Sequence, residues 1–165
     1  MLIIVEGCDR TGKSSLCERL RDDHGGVILH FDRPVTDDML AEYLAPLANY
    51  SPRRGQNVFV DRHYLGETVW PQFFGRPTGM TDVLQATIEG VLGRLGACCV
   101  LAMRDPRELN EACRDEPPGD RAWLVQLDFE SRAASSLLPW IEYRHDHPGD
   151  YEHVVLNAQY AEDQV

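Results

Sequence analysis

Eight consecutive residues, Gly7-Cys8-Asp9-Arg10-Thr11-Gly12-Lys13-Ser14, fit the pattern G-x-x-x-x-G-K-[ST] without a mismatch. The chemistry of that spacing is phosphate binding. Glycines let the backbone bend so that successive N–H groups point inward, and a helix opening at the second glycine adds partial positive charge at the same place. A lysine there neutralises a transferred phosphoryl group, and the hydroxyl after it ligates Mg²⁺. The spacing therefore points to a cradle for the phosphates of ATP, made by Gly7, Cys8, Asp9, Arg10, Thr11, Gly12, Lys13, Ser14 and Ser15. The competing reading is a Gly-rich strand-to-helix turn with no ligand. Context favours the cradle: the pattern follows an apolar run, Leu2 to Val5, and opens a segment with Leu16, Cys17 and Leu20 on one helical face.

Other groups of chemical interest lie further along. Asp61-Arg62-His63 ends an apolar run; a planar Arg donor there suits phosphate oxygens, and the competing reading is a structural ion pair at a strand end. Asp32, in His30-Phe31-Asp32-Arg33-Pro34, sits where a second strand should end and could accept a proton from a hydroxyl. Trp70, Phe73 and Phe74 could stack on a base or simply pack in a core. Glu67 either pairs with an arginine, reads a base, or is an exposed helix carboxylate. Arg114 and Arg121 bracket a polar, Pro/Gly-rich stretch and are either phosphate ligands on a mobile flap or solvated loop charges.

The elements that must position these groups follow from periodicity. Leu2 to Val5, Val27 to Phe31, Asn57 to Val60, Ala97 to Met103 and His153 to Asn157 read as five strands. Between them run helical periods, over Asp37 to Tyr50, Gly66 to Phe74 with Pro71 inside, a helix capped by Thr81, and Ala122 to Leu138. Residues 104–121 read as a loop. After the predicted fifth strand only a few residues remain, so no closing helix is expected. Near-continuous apolar strands alternating with helices indicate a three-layer α/β domain with a parallel sheet covered on both faces.

One domain over residues 1–165 suits 43% apolar content at this length. The formal net charge of −11 argues against long nucleic acid as a partner, because such proteins present a basic face. Lys13 is the sole lysine. Cys8, Cys17, Cys98, Cys99 and Cys113 match no metal or disulfide spacing and suit reduced thiols. No run of eighteen apolar residues and no basic leader occur, so a soluble protein of a bacterial or phage-infected cytoplasm, with no membrane partner, is expected.

Val5-Glu6-Gly7-Cys8-Asp9-Arg10-Thr11-Gly12-Lys13-Ser14 resembles the thymidylate kinase family, whose loop reads E-G-x-D-x-x-G-K and whose eukaryotic-type members carry arginine where Arg10 stands. Asp61-Arg62-His63 looks like that family's D-R-[YH], and Asp105-Pro106-Arg107-Glu108 looks like its D-P-E. The resemblance implies a P-loop NTPase fold with five parallel strands in the order 2-3-1-4-5, ATP and Mg²⁺ as cofactors, and a LID-like loop at about 104–121. It implies transfer of the ATP γ-phosphate to a deoxynucleoside 5′-monophosphate. Asp9 would hold the sugar 3′-hydroxyl or the metal's water shell, and Arg10 would reach toward the transferred phosphate. Arg62 would clamp the acceptor phosphate, with Asp61 near Mg²⁺ or the sugar; Ser14 would ligate Mg²⁺, and Arg114 and Arg121 would come from the LID. A homodimer is a further implication.

The base-reading segment departs from the family. Thymidylate kinases continue with S-x-x-A-Y-Q after D-R-Y, whereas this chain has Gly66 for the Ser, Trp70 for the Tyr and Pro71 for the Gln, with Gln72 one residue late. The accepted base is therefore left open, among contacts from Glu67, Trp70 and Gln72. Two alternatives stay open beside it: a deoxynucleoside kinase with Asp32 as base, and a non-catalytic nucleotide-binding regulator.

Overall fold

Leu2, Ile3, Ile4 and Val5 are each at most 1% exposed. A run with no polar side needs cover on both faces, and β1 (Leu2–Glu6) accordingly lies at the middle of a parallel sheet. The computed structural model describes residues 1–31, 38–48, 50 and 55–164. β1 pairs with β3 (Val58–Asp61) on one side, Leu2 opposite Val58, and with β4 (Ala97–Met103) on the other, Leu2 opposite Ala97. β2 (Val27–His30) and β5 (Trp140–Arg144) form the edges, giving the order β2-β3-β1-β4-β5 that the sequence implied.

Strand alternation divides the interior into two cores. Leu2 and Ile4 share one face with Val58, Val60, Cys99 and Leu101, under α2 (Met39–Leu44), α3 (Gly66–Phe73), α4 (Asp82–Arg94) and α6 (Ala122–Ala134), which contribute Tyr43, Val69, Ile88, Leu92 and Phe129. Ile3 and Val5 share the other with Phe59, Cys98 and Val100, under α1 (Lys13–His24) and α7 (Asp150–Asp163), through Leu16, Leu20 and Val154. Each such fully buried Leu or Ile contributes about 1.5–3 kcal/mol by leaving water. Thr81 caps α4 as expected, accepting from Leu84 N–H at 3.2 Å. All five cysteines are buried and unpaired, and among the described residues no helix is long and apolar enough to cross a membrane.

Three expectations need correction. The fifth strand is Trp140–Arg144, and the predicted run His153 to Asn157 lies inside α7. The buried positions there, Tyr151, Val154 and Ala158, follow helical spacing, while Leu156 is 63% exposed. β5 was hidden because it is an edge strand carrying Glu142 and Arg144. A full closing helix therefore follows the last strand. Second, residues 104–121 are not one loop: α5 (Pro106–Ala112) starts at Asp105, whose carboxylate accepts from Arg107 N–H (2.9 Å), and a 3₁₀ turn spans Gly119–Arg121. Third, the helix expected over 37–50 is α2 followed by a 3₁₀ turn, Ala45–Leu47, that contains Pro46.

Candidate active site

β1 delivers its C-terminal end to the loop Gly7–Gly12, and that loop can take only one path. A side chain on Gly7 would stand 2.3 Å from the Ala102 carbonyl oxygen of β4, at φ 137°. Gly12, at φ 91°, caps α1 with no side-chain hydrogen bond, so the first N–H groups of α1 stay available to a ligand. Thr11 Oγ1 (2.8 Å) and Lys13 Nζ (2.6 Å) both donate to the Cys8 carbonyl, which holds the loop closed on itself. Lys13 is 5% exposed, and burial pushes its ammonium down from the ordinary lysine range, with Asp9 at 3.9 Å opposing that shift.

β3 brings the second group. Asp61 Oδ2 accepts from Ser14 Oγ at 2.6 Å and lies 3.2 Å from His30 Nδ1, while Asp61 Oδ1 is buried with no hydrogen-bond partner among the described residues. A hydroxyl, a carboxylate oxygen and an orphaned buried oxygen are hard oxygen donors, which suits Mg²⁺ held also by phosphate and water. Among the described residues no cluster of three His, Cys, Asp or Glu ligands occurs, so the protein's share of such a site is small. Arg62 donates to Asp9 Oδ1 at 2.7 Å. Arg10 and Arg62 have φ of 64° and 69°, and they are the two left-handed non-glycine residues among the described residues. That backbone is costly for side chains with a Cβ, and both occurrences fall at the phosphate end of this site.

Glu6 explains how Arg62 is held there. It is 1% exposed, and its Oε1 accepts from the N–H groups of His63 (2.9 Å), Leu65 (2.8 Å) and Gly66 (3.2 Å), pinning the turn after β3. Burial raises its carboxyl to about 7 despite those donors. Beside it His63 Nε2 lies 3.0 Å from the Tyr43 carbonyl, and burial lowers its imidazole to about 4, so it is neutral. In front of these groups opens a cavity of about 350 Å³. Asp9 and Arg62 line its phosphate-loop end; Phe31, Tyr43, Trp70 and Phe74 give it aromatic walls.

Of the residues singled out from sequence, Asp9 is in ion-pair or hydrogen-bond reach of Lys13 and Arg62, and Ser14 is hydrogen-bonded to Asp61. Glu67 is 6% exposed and forms a two-pronged ion pair with Arg76, so the exposed-carboxylate reading is corrected. Trp70 stacks on Phe74 at 5.7 Å and also packs edge-on against Phe129, so it joins cavity and core. Gln72 is exposed and outside the cavity wall. Arg10 is ion-paired with Glu116, Arg114 with Glu111 at the surface, and Arg121 lies over the Phe73 ring at 4.9 Å; neither Arg114 nor Arg121 reaches the phosphate loop. Asp32 lies outside the described residues.

Sequence reasoning missed Glu6 as the anchor of the turn, although a carboxylate closing an apolar strand is a signal. It also missed Arg76 and His145. The latter lies beside the loop, 3.7 Å from where a Gly12 side chain would begin, and escaped because β5 was misplaced.

No protein-family model matches the chain, and no curated protein matches it in sequence. Solved structures do share its fold. One is the YorR protein of Bacillus subtilis in complex with phosphorylated GDP, with a TM-score of 0.79 at 16% identity over 100% of this chain and 99% of that one. Another is a protein of Pseudomonas aeruginosa assigned as a polyphosphate kinase 2, with a TM-score of 0.64 at 15% identity, over 99% of this chain and 42% of that one. At such identities the likeness establishes the architecture, an α/β P-loop fold.

Proposed function

We propose that the protein transfers the γ-phosphate of ATP to a deoxynucleoside 5′-monophosphate, giving the diphosphate and ADP. The observation that carries this reading is the junction of two compartments. The phosphate loop with Lys13 adjoins a cavity whose near end presents Arg62 and Asp9 and whose far end is aromatic. That is the layout for an acceptor with an anionic end and a flat end. A phosphotransferase is in keeping with fold neighbours of which one holds a phosphorylated GDP and the other is assigned as a polyphosphate kinase.

The chemistry asks for positioning and charge neutralisation more than for proton transfer. An acceptor phosphate oxygen is already anionic at neutral pH, so its lone pair attacks the γ-phosphorus and the bond to the β,γ-bridging oxygen breaks. Arg62 would exchange Asp9 for the acceptor phosphate, since a guanidinium fork suits phosphate oxygens. Lys13 would leave the Cys8 carbonyl to neutralise the transferred group. Bound through Ser14 and Asp61, Mg²⁺ would supply charge neutralisation at the triphosphate. Arg10 and Arg114 would join once Glu116 and Glu111 are displaced, and Arg121 once it leaves the Phe73 ring. Asp9, freed from Arg62, would be available to the sugar 3′-hydroxyl.

A nucleoside acceptor is kept as a second reading because Glu6, with a carboxyl near 7, lines the same cavity and could take a proton from a 5′-hydroxyl. The test is chromatography of products from Mg²⁺-ATP with each deoxynucleoside monophosphate and each nucleoside, with Lys13→Ala as control. Diphosphates made from monophosphates, and lost in the variant, establish the proposal. Monophosphates made from nucleosides overturn it in favour of the second reading, and nucleotide binding without any product leaves a regulator.

A further inference from the structure

The far wall of the cavity is built by an unusual local route. Pro71 lies inside α3 and has no N–H, so the Glu67 carbonyl four residues earlier loses its helical donor. Thr78 Oγ1 fills that vacancy, donating to the Glu67 carbonyl at 2.8 Å, and accepts in turn from Met80 N–H at 3.0 Å. The chain after α3 is thereby folded back along its own helix, and Arg76 N–H donates to the Pro71 carbonyl at 2.9 Å. This places the Arg76 guanidinium on the Glu67 carboxylate, Nη1 to Oε2 at 3.1 Å and Nη2 to Oε1 at 2.7 Å. Both residues line the cavity, as do Trp70 and Phe74.

A guanidinium has five N–H donors in a fixed plane and no acceptor. Glu67 uses two, and the other three have no partner among the described residues. The far wall thus offers hydrogen-bond donors held by a carboxylate that is itself occupied. Guanine presents two adjacent acceptors, O6 and N7, and suits a donor fork; thymine presents one, O4. Adenine and cytosine put an amino group, also a donor, at the corresponding position.

We infer that Arg76, positioned by Glu67, makes this site select nucleotides whose base carries an oxygen at purine position 6 or pyrimidine position 4, guanine first and thymine second, over those carrying an amine at that position. This rests on the reading that the cavity holds a nucleoside monophosphate. Glu67 is a positioning residue: its negative charge balances Arg76 at a place where an unpaired guanidinium would be costly.

Calorimetric titration of the full chain with dGMP, dTMP, dAMP and dCMP, alongside phosphoryl transfer to each, separates the two levels. Binding is expected in the order dGMP, dTMP, then dAMP and dCMP, with the first about 10- to 100-fold tighter than the last two. The double variant Glu67→Gln and Arg76→Gln keeps the site neutral and presents amide groups that both donate and accept. It should bring the four nucleotides to within about threefold, chiefly through KM, whereas a merely structural role would weaken all four alike. Arg76→Lys, which keeps the charge and removes the planar fork, should lose dGMP preference over dTMP while still disfavouring dAMP. Tighter binding of dAMP or dCMP, an unchanged order in the double variant, or no binding of any of the four overturns the inference. The expected order without transfer sustains it and removes the kinase reading instead.

Discussion

The loop Gly7–Gly12 and the aromatic-walled cavity meet at Asp9, yet they are made in opposite ways. The loop is contiguous, held by its own carbonyl at Cys8, and confined by a glycine pressed against β4. The cavity is assembled from the ends of β1, β2 and β3, from α2 and α3, and from the turn after α3. One region is shaped by its own hydrogen bonds and by a glycine with no room for a side chain. The other keeps its shape because buried charged and polar groups hold distant segments together: Glu6 on the turn after β3, His63 on α2, and Glu67 on Arg76. Contiguous sites depend on local geometry, and composite sites on a small number of long-range polar contacts.

Four substitutions test that contrast. Lys13→Ala should lower transfer on the order of 10³-fold while leaving the melting temperature unchanged or raised, because it removes a desolvated ammonium from the loop. A loss of folding in circular dichroism would mean that the loop depends on its lysine for shape. Gly7→Ala should instead act on stability, by about 3 kcal/mol in urea unfolding, since the new methyl meets backbone on β4. A variant of wild-type stability would show that β1 and β4 can part at that point.

Glu6→Gln examines the cavity side through pH. The Glu6 carboxyl is raised from 4.5 to about 7 in the fold, so its contribution to stability is full below pH 4.5 and is lost as pH climbs to 7. The His63 imidazole is lowered from 6.5 to about 4, so its contribution is full above pH 6.5 and is lost as pH falls to 4. In the shared window the two slopes oppose and the wild type should be nearly flat. Removing the carboxyl unmasks the histidine, so Glu6→Gln should gain about 3 kcal/mol between pH 4 and 6.5, read by urea unfolding at each pH. A flat profile in the variant would show that the His63 imidazole is hydrated in the fold. The smallest effect belongs to Pro71→Ala, which restores a donor for the Glu67 carbonyl in competition with Thr78. Stability should change by less than about 1 kcal/mol, while dGMP binding weakens as Arg76 loosens; equal binding would show that the Glu67 ion pair suffices.

The same contrast explains what could be read from the sequence. β1, β3, β4, the loop and the Asp61-Arg62 turn were legible because each is a short contiguous pattern, apolar runs buried on both faces or glycines at fixed offsets, and edge strand β2 was legible because Val27-Ile28-Leu29 is unbroken aliphatic sequence. β5 was not, since an edge strand has one solvated margin and tolerates Glu142 and Arg144. α7 passed for a strand because Val154-Val155-Leu156 is apolar at every position, although Leu156 faces solvent. Arg76 carried no periodic signal: Gly75-Arg76-Pro77-Thr78-Gly79 reads as turn chemistry. Pro71 was visible as an interruption, but that its missing N–H would be repaid by Thr78, seven residues on, is a property of the folded chain.

The pressing of Gly7 against Ala102 has a consequence for the order of events during synthesis. The phosphate loop is made early, but the wall that shapes it lies 95 residues later, and β1 must wait for both β3 and β4 before its edges are filled. At ribosomal speeds that interval is roughly 5 to 20 s. Until β4 is made, a strand of unbroken aliphatic character lacks at least one of its two neighbours, which leaves an unpaired edge. The loop's own hydrogen bonds to the Cys8 carbonyl can form as soon as residues 7–13 are made, but the contact that confines Gly7 waits for β4.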